Sequence, residues 1–142
     1  MTDVELTKKI FARDNFVKLI GAEILELTEE KAVVRAAITE NSLNANGFAQ
    51  GGMLYTLADF AFALHANLIH PSTVTQGGRI DYVRAVKPPY VTAEAHEKVR
   101  VGHNTVSEVI LRDAQDETVC VCTFNGFVKD VDRALLQEKF RE

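Results

Sequence analysis

The sequence predicts an α+β domain: a curled antiparallel sheet of six strands around one long buried helix, with a helix at the N-terminus and a short one at the C-terminus. Three observations carry this prediction. Residues 53–69 are apolar on every face, so other structure must wrap them. Long stretches rich in Val, Thr and Ile follow, parted by turn signals. The connections between them are short, which favours antiparallel pairing.

Each element has its own signal. Thr2 followed by Glu5 matches a capping box, and Val4, Ile10, Phe11, Phe16, Val17 and Ile20 recur at helical spacing, which predicts a helix within residues 1–20. Ala22, Ile24, Leu25 and Leu27, the polar turn 28–31, then Ala32, Val33, Val34, Ala36 and Ile38 read as a hairpin. Residues 41–50, rich in Asn and containing Gly47, read as a loop. Gly51 and Gly52 lead into the apolar helix, and Pro71 ends it. Four strands are expected over 73–86, 90–101, 105–112 and 118–128, and the terminal segment 131–142 carries the charge and Leu alternation of a short surface helix.

At 142 residues the chain reads as one domain, with its core over about 21–130. A net charge of −4 lacks the basic stripe that nucleic acid binding requires. The N-terminus interleaves acidic and basic residues around no apolar signal core, and Cys120 and Cys122 read as reduced buried thiols, so the expected location is the cytoplasm. The weakly charged stretch 51–69 holds Asp59 and His65 and reads as a buried helix, with no membrane partner. His65 and His70 lack a third ligand at useful spacing, so no metal is expected.

Asp59 is the one charged side chain between Glu40 and Arg79. Burying a carboxylate without partners costs several kcal/mol or more, so it is hydrogen-bonded, protonated, open to a cavity, or kept for chemistry. Gly51 and Gly52 open the same helix, where first-turn amides have no intrahelical acceptor and can hold an oxyanion. Asp59 lies eight residues beyond Gly51, about 12 Å along a helix axis and about 80° round it. If both groups act on one substrate atom, a second copy of the chain must supply one of them.

Asn44-Ala45-Asn46-Gly47-Phe48-Ala49-Gln50-Gly51-Gly52, followed by Met53-Leu54-Tyr55-Thr56-Leu57-Ala58-Asp59, resembles the N-x-x-G-x-x-H-G-G loop and L-x-D helix of hotdog-fold acyl-CoA thioesterases of the PaaI-like, phenylacetate-degradation type. Ile80-Asp81-Tyr82-Val83-Arg84 is similar to the third strand of that family, and Arg100-Val101-Gly102-His103 to its R-x-G-K/R turn. The resemblance implies that Gly51 N–H binds the thioester oxygen and that Asp59 of the neighbouring subunit acts as general base or nucleophile. It implies that Asn44 orients water or the carbonyl and that Thr75 stands beside the acid. Gly102 and His103 would meet the CoA nucleotide, with Arg84 as a further phosphate partner. Two positions depart from the pattern, Gln50 for the family His and Ala85 for a proline. Gln50 and Gly52 complete the substrate loop, and helix and strand facing suggest Phe60, Leu64 and Tyr82 as lining for the acyl group in a pocket at a dimer interface. The expectation is a medium-chain or aryl acyl-CoA thioesterase, a homodimer or homotetramer needing no cofactor beyond the CoA of its substrate. The alternative is a non-catalytic acyl-CoA or lipid-binding hotdog protein.

Overall fold

The computed structural model describes residues 1–141. The capping box closes at the start of α1 (Asp3–Phe11): Thr2 Oγ1 accepts from Glu5 N–H at 3.1 Å, and the Glu5 carboxylate accepts from Thr2 N–H at 2.7 Å. The single helix expected over 1–20 is two. Asp14 accepts from Val17 N–H and caps α2 (Asn15–Leu19), so a new set of first-turn amides is satisfied after a short break. Apolar spacing runs through the break and conceals it.

β1 (Glu23–Leu27) and β2 (Ala32–Ala37) form the expected hairpin. A 3-10 turn at Glu40–Ser42 and a bridge between Leu43 and Ala49 shape the loop before α3 (Gly51–Ile69). β3 (Thr73–Tyr82), β4 (Tyr90–Val101), β5 (Asn104–Asp113), β6 (Thr118–Val128) and α4 (Arg133–Lys139) complete the order. Asp132 starts α4 by accepting from Ala134 N–H, and residue 142 of the expected terminal segment lies outside the described residues.

All six strands join one antiparallel sheet in the order β1-β2-β4-β5-β6-β3, with α3 across its inner face. Small inner residues let the helix approach: Ala32 faces Ala95, Val34 faces Ala93 and Ala36 faces Val91, all without exposed surface. Bulkier Leu111 and Phe124 fill the other half, and Phe124 stacks on Phe62 of α3 at 5.4 Å. Buried His65 fixes α3 to the β1–β2 turn through Glu29 O at 2.8 Å, and loss of solvation lowers its pKa. Cys120 and Cys122 are free and buried, and burial pushes their thiols up to about 11 and about 12.

Two expectations are corrected. β3 ends at Tyr82 rather than at residue 86, and it lies on the far edge against β6 instead of pairing with β4. Residues 83–89 leave the sheet to support neighbouring loops, with Val86 O accepting from Ala49 N–H and Pro89 O from Ile38 N–H. Nor is α3 wrapped on every face. Gly52 is exposed and Tyr55, Thr56, Asp59 and Ala63 are half-buried, a stripe at helical spacing beside the free edge of β3. Composition shows that this stripe is apolar around one acid, but not whether the chain's own sheet covers it.

Candidate active site

The loop before α3 presents two free amides. Gln50 N–H donates to Ser42 O at 2.8 Å, and Gln50 Oε1 accepts from Met53 N–H at 3.0 Å as the helix cap. No acceptor within the described residues takes Gly51 N–H or Gly52 N–H. Gly52 leaves room for the cap, since a Cβ there would lie 2.8 Å from Gln50 Oε1. Tyr82, at the end of β3, donates its hydroxyl to Gly51 O at 2.8 Å and sits where a Gly51 side chain would press on it at 3.1 Å.

Asn44 holds the loop in shape. Its Oδ1 accepts from Asn46 N–H at 2.8 Å and Phe48 N–H at 3.1 Å, an Asx turn, so this oxygen is spent on the protein. A cavity of about 400 Å³ opens here between Asn44, Phe48, Gly51, Leu54, Tyr82 and Arg84. Four residues named from sequence, Asn44, Gly51, Tyr82 and Arg84, thus meet at one place.

Asp59 stands two turns further along α3. Thr75 Oγ1 donates to Asp59 Oδ1 at 2.8 Å. Loss of solvation raises the Asp59 pKa above the ordinary carboxylate value, the Thr75 bond opposes the rise, and the Asp14 carboxylate adds to it. A carboxylate held partly out of water, with one oxygen fixed, is suited to take a proton. Asp14 is absent from any sequence motif. It arrives because α1 and α2 fold back on α3, and no local spacing foretells that.

The remaining expected residues scatter. Leu64 has no exposed surface and Phe60 is 6% exposed, so the suggestion that they line a common pocket with Tyr82 does not hold within this chain. Both are turned about 100–140° round the helix from Asp59, toward the core and α1, where the Phe60 ring meets Phe11 edge-on at 6.4 Å. Gly102 and His103 form the β4–β5 turn, Gly102 at φ +60°. His103 Nδ1–H donates to Val128 O at 2.7 Å and its ring stacks on Phe127, which leaves Nε2 facing out. Arg100 beside it is committed to Gly102 O, the Asp130 carboxylate and His70. This turn lies at the Thr73 end of β3, whereas Tyr82 and Gly51 lie at the other, roughly 30 Å away along the strand.

The family model of the thioesterase superfamily matches residues 46–120, and the chain belongs to that family. The acyl-coenzyme A thioesterase PaaI of Escherichia coli is 28% identical over 79% of this chain and 81% of its own length. Its solved structure, described as a protein of the phenylacetic acid degradation operon, superposes with a TM-score of 0.84 at 25% identity, covering 89% of this chain and 92% of that one. The chain is therefore a hotdog thioester hydrolase of the PaaI-like kind. A relative from Archaeoglobus fulgidus is 32% identical over 69% of this chain, and the match spans 64% of that relative. A hypothetical thioesterase protein of Streptococcus pneumoniae, solved with coenzyme A, has a TM-score of 0.73 at 28% identity over 77% of this chain and 89% of its own.

Proposed function

We propose that the chain hydrolyses a medium-chain or aryl acyl-CoA to the free acid and CoA, in the cytoplasm, as a homodimer or homotetramer whose sites span two chains. The observation that carries this reading is Asp59, half-buried on the open stripe of α3, with Oδ1 fixed by Thr75 and its pKa raised.

Dimerisation has a physical motive in β3. Its outer edge is unpaired along ten residues, an arrangement that invites pairing with another chain. Antiparallel pairing of β3 with its own copy sets the Thr75 end of one chain beside the Tyr82 end of the other. Asp59 of the partner subunit then approaches the Gly51 amide and the cavity beside it. The turn at Gly102 and His103 of the same partner would reach the CoA phosphates together with Arg84. The relative solved with coenzyme A supports this class of ligand.

In this site the thioester oxygen accepts from Gly51 N–H. Water attacks the carbonyl carbon and gives a proton to the Asp59 carboxylate, while the oxygen gathers negative charge at the helix N-terminus. The C–S bond then breaks, and the CoA sulfur leaves with the proton from Asp59. A thiol-release assay over acetyl-, octanoyl- and phenylacetyl-CoA tests the reading. Turnover that disappears in Asp59→Ala supports it, and binding without turnover in the wild type would leave the non-catalytic alternative.

A further inference from the structure

A second cavity, of about 340 Å³, lies between the N-terminal helices, β1 and α3. Phe11, Val17, Ala22, Ile24 and Phe60 form its apolar wall, and the charged side chains of Lys8, Asp14 and Lys18 also line it. The volume falls in the range of small-molecule pockets. At the roughly 30 Å³ that a water occupies in the liquid, it would hold on the order of ten non-hydrogen atoms, the size of an octanoyl or phenylacetyl group.

Its position relates it to the chemistry. Phe60 directly follows Asp59 in α3 with its ring turned about 100° from the carboxylate toward α1, so the cavity flanks the helix at the level of Asp59. Asp14, in the same wall, stands close enough for its charge to act on Asp59. The outer wall, residues 11–24, precedes the 46–120 segment that the family model matches.

We propose that this cavity receives the apolar end of the acyl group whose thioester lies beside Asp59, and that Phe11, Ala22 and Ile24 set which acyl lengths are accepted. The inference rests on the hydrolase reading and makes it more specific. The chain that supplies the carboxylate also supplies the acyl pocket, while its partner supplies the oxyanion donor. Ala22 is half-buried at the cavity, so a larger side chain there fills the space without replacing a core residue.

Calorimetric binding of S-octyl-CoA and S-ethyl-CoA, thioethers that cannot be hydrolysed, tests the pocket apart from turnover. The wild type should prefer the octyl compound, and Ala22→Phe should reduce that preference by about tenfold or more. Phe11→Ala should shift the preference toward S-dodecyl-CoA by a similar factor, which keeps the test open if Ala22→Phe does not fold. No chain-length preference in the wild type, or an octyl-to-ethyl ratio in Ala22→Phe that stays above one-tenth of the wild-type ratio together with an unshifted dodecyl-to-octyl ratio in Phe11→Ala, overturns the proposal. Thiol release by the wild type is scored separately, so failure of hydrolysis is distinguishable from failure of the pocket.

Discussion

The Thr75 hydroxyl donates to Asp59 Oδ1 at 2.8 Å and so ties the free edge strand β3 to the half-open face of α3. This bond favours the ionised acid and opposes the desolvation that raises its pKa. In Thr75→Val the pKa should therefore rise further. If the carboxylate is the base, the acidic limb of the pH profile of kcat moves to higher pH, with the plateau above it less affected. A limb that stays in place while the plateau collapses would assign Thr75 to substrate contact instead.

Asp59→Asn separates the demands of function and stability. Asn keeps an oxygen for the Thr75 hydroxyl but cannot accept a proton from water, so kcat should fall about 10²- to 10⁴-fold. Stability should move the other way. The folded-state pKa of Asp59 lies above its unfolded value of about 3.9, so the folded chain binds this proton more tightly. That contribution is fully present below about pH 3.9 and is lost as pH rises through the folded pKa. The asparagine variant has no such loss, so its Tm should exceed that of the wild type at pH 7. Calorimetry should show the gap closing below about pH 4, and a gap independent of pH would refute the linkage.

Much of this was legible in the sequence, for reasons that differ by element. β4 and β6 match the expected ranges because turn residues bound them on both sides. β3 overran its true end because Val83 and Val86 are as apolar as strand residues, yet their backbone serves the 44–49 loop and β6. The Gly51 and Asp59 candidates could be found because a glycine pair and a lone acid are conspicuous in an apolar helix. Asp14 and the pocket beside Phe60 could not, since both depend on how the N-terminal helices fold back over α3.

Gly78 reports on the packing behind the edge strand. A Cβ there would collide with the Tyr55 hydroxyl and come within 2.7 Å of the Phe124 ring, and these two rings already pack edge-to-face at 5.5 Å. Gly78→Ala should therefore cost about 1–3 kcal/mol by overpacking. At Gly77 a Cβ meets nothing nearer than Asn125 Oδ1 at 3.9 Å, so Gly77→Ala serves as the matched control. Urea midpoints should fall clearly for the first and little for the second. Equal shifts would mean that loss of glycine itself, and not the collision, sets the cost.

The proposed two-chain site makes a prediction that no single-chain site shares. Gly51→Pro removes the proposed oxyanion N–H at the first helical position, whose backbone suits proline; its Cβ presses on the Tyr82 hydroxyl at 3.1 Å, so Tyr82 must shift slightly while the helix survives and hydrolysis is lost. Asp59→Ala removes the base and leaves Gly51 intact. Each variant alone should be inactive, because both sites of its dimer lack the same part. In a heterodimer of the two, one site joins intact Gly51 from one chain to intact Asp59 of the partner subunit, and the other site lacks both. After subunit exchange, free mixing should restore about one quarter of wild-type sites. Thiol release measured before and after exchange decides the matter: recovery requires a site shared between chains, whereas continued inactivity in a mixture shown to exchange would place both groups within one chain.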